Sequence, residues 1–472
     1  MVVFSKFVTI PTSCIEYVHP WTESCSIATT GLGLHAVQAS FRIYVTVYVL
    51  ALIMRGRVPS QKEIKQTLVG ILISSIFLGT NAFAFPIFTC WLRKLLGHFN
   101  VLTVGFLPAF FASYVAILLE RPSRRSMLAL YVTNVATETL FHMAAWRGLV
   151  RPVPYGQVLI FSTFMTALIY FYKGHQTKRD AMYNLLRFVV GPYEESGYAE
   201  NHENSPSLVD PPELQSSGSA ERVRRHLRGR KPRSLINVIP SACCKIYLSL
   251  LRKIQGLSRH TACSHPFSCT YYTLEGAVKL FALGYSLQVC LRILMQMKRL
   301  IRKPSLFPKL LIHRNAFKLG AFLGGFSGIF KLMSCLLRRI FNRDSKLHAI
   351  PSGLLAGLTF GFFPDNTIAL YVMWKSLQII YSDGVQRGYV PELPGGTVLL
   401  YSFSTAVLFH AGVLEPQNLR PSYWKFLHSI SGGRVSAMDR NCLDAFGLGT
   451  SKSLTEVLAK TNTHLVSYSE LL

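Results

Sequence analysis

The sequence predicts an all-α, multi-pass transmembrane helical protein built from two duplicated helical bundles of four to five segments each. Three observations predict it. Half of the 472 residues are apolar and the mean hydropathy is +0.30, unlike an ordinary soluble chain. Four uncharged runs, 66–92, 99–119, 152–172 and 393–414, reach the roughly 17–25 residues that a helix needs to cross a bilayer. Finally, RGLVRPVPYGQVLIFS at 147–162 and RGYVPELPGGTVLLYS at 387–402 agree at eight of sixteen positions without a gap.

That agreement is part of a longer duplication. Residues 129–170 align with 369–410 at 13 of 42 positions, whereas chance gives apolar sequence about two or three matches. Upstream, CWLRK at 90–94 answers CLLRR at 335–339, and Gln38, Arg42 and Ile43 answer Gln288, Arg292 and Ile293. His19-Pro20-Trp21 before Cys25 is echoed by His265-Pro266-Phe267 before Cys269.

Each repeat reads as five helical segments. They fall near 27–54, 66–92, 99–119, 126–146 and 153–172, then near 271–297, 317–340, 347–363, 366–382 and 395–413. The first segment of each repeat is the open one. Arg42 interrupts one, and Glu275 with Lys279 the other, and charge is costly at a bilayer centre. If these segments cross, the repeats are inverted as in transporters; if not, they are parallel. Within the repeated loop, Arg387-Gly388 closes a helix, the prolines and Gly395-Gly396 turn, and the next helix follows; its copy does the same after Arg147-Gly148. This reads as a reversal beside the membrane.

The division follows. Residues 1–26 form a Cys/His-containing N-terminal segment, 27–173 the first membrane repeat, 174–262 a soluble linker, 263–414 the second repeat, and 415–472 a soluble C-terminal tail. In the linker, 193–220 carries six acidic and no basic side chains, a composition that predicts disorder, and 222–233 holds seven basic ones. Met182, Leu185, Leu186 and Val189 space as an amphipathic helix, as do Ile246, Leu250, Ile254 and Leu257. Both suit a membrane interface or a helix packed on the membrane domain.

The net charge of +27 is spread over short loops, at Arg55, Arg57, Lys62 and Lys65, at Arg121, Arg124 and Arg125, and at Lys173, Lys178 and Arg179. That pattern favours anionic lipid headgroups over nucleic acid, so membrane lipids are the expected partners. Successive loops are all basic, so charge assigns no orientation. The start carries neither a secretory nor a mitochondrial leader pattern, and targeting is expected to be internal. Ten cysteines without a secretory signal argue against a disulfide framework.

Gly320, Gly324 and Gly328, then Gly353, Gly357 and Gly361, form two small-residue ladders. They predict two helices that cross each other tightly, with intramolecular packing as the first reading and homo-oligomerisation the second. Cys263, His265 and Cys269, with Cys243, Cys244 and His260 nearby, have zinc-ligand chemistry, and Cys14, His19 and Cys25 offer a second set. Neither has a repeated CxxC, and buried cysteine is common as a small hydrophobe, so no metal or other cofactor is assigned. Glu138 and His142 share a helix face, as a polar pair turned into the bundle. No nucleotide loop, HExxH or nucleophile elbow occurs, and no enzyme activity is expected.

Two resemblances sharpen this. Arg343-Asp344-x3-His348-x4-Gly353-x3-Gly357 resembles the small four-span subunits of the mitochondrial inner-membrane protein translocase, with His348 where that family has Asn. It implies a shared fold over about a hundred residues. LRPSYWKF at 419–426, Leu443-Asp444-x-Phe446-Gly447, SYVAILLERPSRRS at 113–126 and NVATETLF at 134–141 closely resemble the transmembrane protein 135 family. That resemblance implies a multi-pass protein of mitochondrial and peroxisomal membranes. It further implies promotion of mitochondrial fission over fusion through a dynamin-related GTPase, and a part in peroxisome organisation and lipid metabolism. A lipid or metabolite transporter is the alternative, and a protein-import subunit the second.

Overall fold

The computed structural model describes residues 8–54, 59–174, 181–195, 252–303 and 307–466, with Ser249 and Ser305. Among them the fold is all-α, apart from a two-residue antiparallel ladder of β1 (Thr9–Ile10) with β2 (Phe99–Asn100). The first repeat supplies α1 (Cys14–Tyr17), α2 (Cys25–Met54), α3 (Gln61–Leu96), α4 (Phe106–Leu119), α5 (Pro122–Trp146) and α6 (Gly156–Lys173). After α7 (Ala181–Val190), the second supplies α8 (Cys269–Arg302), α9 (Phe307–Leu311), α10 (Arg314–Phe341), α11 (Ala349–Gly357), α12 (Asn366–Gln386) and α13 (Gly396–Leu414). Helices α14 (Pro421–Ser431), α15 (Arg434–Ala437) and α16 (Thr450–Thr461) follow.

Local chemistry sets the boundaries. Ser60 and Glu63 form a capping box that satisfies two orphan N–H groups at the start of α3, and Gly97 ends that helix at φ 75°. Asp365 caps α12 through the Ile368 N–H. Five helices are long and apolar enough to cross a membrane among the described residues: Cys25–Leu52, Gln61–Leu96, Cys269–Met297, Arg314–Phe341 and Gly396–Leu414. The first segment of each repeat is thus an unbroken helix of crossing length. Arg42, Glu275 and Lys279 do not interrupt the helices that carry them, because backbone bonding in a helix is satisfied whatever the side chain.

By their packing, the described residues divide into Met1–Val153 with Val390–Leu472 (unit 1) and Pro154–Tyr389 (unit 2). In unit 1, α2 packs on α3 and α3 on α4, while α13 lies against α4 and α5. In unit 2, α8 packs on α10 and α10 on α11, while α6 lies against α11 and α12. The order of neighbours is the same, and in each unit the fifth helix comes from the other repeat. The ranges 27–173 and 263–414 are therefore sequence repeats but not packing units. The duplicated loop, expected to form a reversal beside the membrane, is where the chain leaves its unit. Gly148 and Gly388 adopt φ 72° and 74°, and Tyr155 and Gly395 start α6 and α13 from φ 59° and 72°. Such left-handed positions favour glycine, which explains three of the four residues.

Unit 1 has a core in which Phe77, Val135 and Leu408 pack with Trp424, Leu427, Leu454 and Leu458. Residues 415–466 are accordingly part of the bundle and not a separate tail. The reason is amphipathic spacing: Tyr423, Trp424, Leu427 and Ile430 bury one face of α14, and Leu454, Val457 and Leu458 one face of α16.

Unit 2 is centred on Phe161, Phe322, Phe326, Phe330 and Phe360, with the Phe161 and Phe360 rings stacked at 4.2 Å. Helix α7 docks there through Met182, Leu186 and Val190, leaving Leu185 and Phe188 exposed. Of the second amphipathic candidate, Ile246 and Leu250 lie outside the described residues, as do 196–248 of the linker. The expectation of disorder from 193 onward is corrected at its start: 192–194 form a 3-10 turn and Glu194 is buried, because two cations hold it.

The glycine ladders do not face each other. A Cβ on Gly320 would stand 3.0 Å from the Phe281 carbonyl, and one on Gly324 2.7 Å from the Ala277 carbonyl, so the α10 ladder abuts α8. A Cβ on Gly353 would meet Thr166, and one on Gly357 would meet Ser162, so the second ladder abuts α6, while Gly361 faces nothing within 4 Å. Close approach of helix backbones needs such small residues, and both uses are intramolecular.

Candidate metal centres and an apolar cavity

In unit 1 the residues before α2 are tied to α3 and to the loop before α4. Ser13 and Glu16 form a capping box that starts α1 at Cys14. Buried Tyr17 donates its hydroxyl to the Val104 carbonyl at 2.8 Å, and Arg93 donates to the carbonyls of Thr12 and Pro11 at 2.7 and 2.6 Å. This binding folds the segment over the end of α3 that carries Cys90. Cys14, His19, Cys25 and Cys90 consequently converge, each offering a ligand atom within 4.8 Å of the others. The Cys14 and Cys25 sulfurs are 3.6 Å apart, and the Cys90 sulfur is 3.6 Å from His19 Nε2. His19 Nδ1 bonds the Thr22 carbonyl at 2.9 Å, so that nitrogen carries the proton and Nε2 presents its lone pair to the sulfurs.

Unit 2 repeats the arrangement. Cys263, His265, Cys269 and Cys335 converge within the same 4.8 Å. The Cys263 and Cys269 sulfurs are 3.8 Å apart, and Cys335 Sγ lies 3.4 Å from His265 Nε2. His265 Nδ1 bonds the Phe267 carbonyl at 2.7 Å, and its ring stacks on Tyr272 at 4.5 Å. Ser268 caps α8 immediately before Cys269, which fixes the helix start that presents that thiol. A hydrogen bond with the Cys335 thiol lowers the Cys263 thiol below the ordinary thiol range, whereas burial and then the neighbouring Cys25 raise that of Cys14.

The structure thus brings together all three candidates Cys263, His265 and Cys269, and also Cys14, His19 and Cys25. What local spacing misses is the fourth member of each set, 65 positions beyond Cys25 and 66 beyond Cys269. The signal that finds Cys90 and Cys335 is the duplicated CWLRK and CLLRR. His260 Nδ1 accepts from the Ala262 N–H and stands outside the set, and Cys243 and Cys244 lie outside the described residues.

Of Arg343, Asp344 and His348, Asp344 joins an ion cluster in unit 2. Arg338 grips buried Glu194 with two nitrogens at 2.9 and 2.7 Å and reaches Asp344 at 3.1 Å. Lys173 Nζ lies 3.2 Å from Glu194 and 3.4 Å from Asp344. Arg343 is exposed, and the His348 ring stacks on Phe341 at 5.6 Å. Burial by itself would raise the Glu194 carboxyl, but Arg338 and Lys173 outweigh it and hold the group at about 2. A depressed carboxylate stabilises the fold above its ordinary range and loses that contribution as pH falls through it. Unit 2 is therefore expected to lose stability between pH of about 4.5 and 2, as followed by hydrogen exchange of its peptides. Glu194→Gln removes this contribution to the slope.

In unit 1, Glu138 pairs with Arg420, and His142 Nδ1 lies 3.3 Å from the Asn418 carbonyl. Both are engaged in packing α5 against the segment after α13. The same unit encloses a cavity of about 260 Å³ lined by Phe77, Phe85, Phe409, Tyr423 and Leu427, with Asn81 as a polar group. Asn81 Oδ1 accepts no hydrogen bond among the described residues. A largely apolar chamber of this kind suits a hydrophobic ligand.

Crossing-length helices in both units define the class, a multi-pass α-helical membrane protein. Residues 11–145 match the family model described as the N-terminal cysteine-rich region of Transmembrane protein 135. The matched stretch contains the whole Cys14, His19, Cys25 and Cys90 set. No solved structure matches the chain.

Proposed function

We propose that the protein belongs throughout to the transmembrane protein 135 family and acts, without catalysis, in mitochondrial and peroxisomal membranes. There it shifts mitochondrial dynamics toward fission through a dynamin-related GTPase and takes part in peroxisome organisation and lipid metabolism. The observation that carries this reading is the match over 11–145, to which the motifs at 113–126, 134–141 and 419–426 add. Membrane lipids are its partners, and a homo-oligomer fits the same reading. The test is re-expression of the full chain in cells that lack it, scoring mitochondrial length and GTPase recruitment. Shorter mitochondria with more recruited GTPase are expected; an unaltered network would sink the proposal.

A second reading, carriage of a lipid, is favoured by the cavity in unit 1. A photoactivatable sterol or fatty acid is expected to label peptides 77–86 and 423–435, and Leu427→Trp to reduce the labelling. Labelling confined to the outer faces of the helices would count against it. Import of proteins ranks third, since Asp344, the centre of its motif, is engaged by Arg338 and Lys173.

A further inference from the structure

We propose that each unit holds one structural Zn²⁺ ion, bound by Cys14, His19, Cys25 and Cys90 in unit 1 and by Cys263, His265, Cys269 and Cys335 in unit 2. Three lines converge on this chemistry, and none depends on the function proposed above.

The first is metric. A tetrahedral zinc with Zn–S near 2.3 Å and Zn–N near 2.0–2.1 Å requires S···S edges of about 3.8 Å and S···N edges of about 3.5 Å. One S···S edge in each set measures 3.6 and 3.8 Å and one S···N edge 3.6 and 3.4 Å, while the remaining edges stay within 4.8 Å. A thiol–thiol hydrogen bond accounts for one such distance, but not for three sulfurs and an imidazole lone pair gathered at one point.

The second line is the outer shell. Zinc-bound histidine donates its other ring N–H to a carbonyl or carboxylate, which fixes tautomer and orientation. Both histidines do so, His19 to Thr22 and His265 to Phe267. The third is repetition. Two copies that have diverged over most of their length retain the same Cys₃His donor set, from the same places in the fold. Packing alone would be served as well by alanine, serine or valine at such sites.

Four protein donors leave no open position, so the ion is structural and not catalytic. Its work is mechanical. In unit 1 it fastens the segment before α2 to α3, and in unit 2 the segment before α8 to α10.

Zinc content of the purified full-length protein tests this, after expression in zinc-supplemented medium. Two ions per chain are expected, one in Cys90→Ser, one in Cys335→Ser and none in the double variant. Cys335→His and Cys90→His, which keep four donors, are expected to restore the ion, separating ligation from loss of fold. Growth in cobalt should give the visible absorption of tetrahedral cobalt–thiolate, halved in each single serine variant. A wild-type chain without zinc, iron in its place, or serine variants with undiminished zinc would each overturn the proposal.

Discussion

Replacing Glu194 with alanine is expected to destabilise unit 2 by about 3–5 kcal/mol, the cost of leaving a buried ion without its partner. Arg338 and Glu194 are both fully buried, and the guanidinium makes a two-pronged contact that no water can replace in place. With Glu194 gone, Arg338 keeps only Asp344, whose side chain is 41% exposed and correspondingly screened. Lys173 suffers the same loss. The triple variant Glu194→Leu, Arg338→Met and Lys173→Met is expected to recover most of the stability, because it removes all three buried charges and their desolvation cost with the attraction. Hydrogen exchange of unit 2 peptides in the detergent-solubilised chain checks both. A single variant that exchanges like wild type would contradict the reading of this cluster as a structural clamp.

Trp424→Ala is expected to cost unit 1 about 3–5 kcal/mol, the range for emptying a buried tryptophan site. The ring is wholly buried in the core cluster that also holds residues of α5, α13 and α16. Its Nε1 donates to Thr463 at 3.2 Å, and the Arg440 guanidinium stands 5.4 Å over its face. Burial lowers Arg440 to about 10, so the contact with the ring compensates a cation that is poorly solvated. Limited proteolysis should then release 421–466 from the variant and spare it in wild type. If the variant keeps that segment protected, the segment is held by something other than the Trp424 core.

The helices were legible because long apolar runs and capping residues act locally. Ser60, Gly97 and Asp365 set boundaries through bonds to near neighbours, and the duplication is visible by eye at 147–162 and 387–402. The partner of each helix was not legible. Nothing in the spelling of α6 says that Ser162 and Thr166 will lie on Gly357 and Gly353, since the same small residues would suit either bundle. The ladder on α10 was visible, and its target on α8 was not. Burial of residues 415–466 was readable from the spacing of Tyr423, Trp424 and Leu427, although their modest hydropathy hides it beside membrane helices. The metal sets were half legible. Their N-terminal members lie close in sequence, whereas Cys90 and Cys335 need the tertiary fold or a careful overlay of the two repeats.

The central claim is that each repeat gives its fifth helix to the other bundle, and paired cysteines test it most directly. In unit 1 the Thr133 and Ser404 hydroxyls are 2.9 Å apart although the residues are 271 positions apart in sequence. Thr133→Cys with Ser404→Cys is therefore expected to form a disulfide that joins the two repeats after cleavage of the linker. Were the fifth helices retained in their own repeats, Thr133 would instead face Phe164, the residue that corresponds to Ser404 at the 240-residue offset. Cross-linking of Thr133→Cys with Phe164→Cys, together with none between positions 133 and 404, would contradict the exchange.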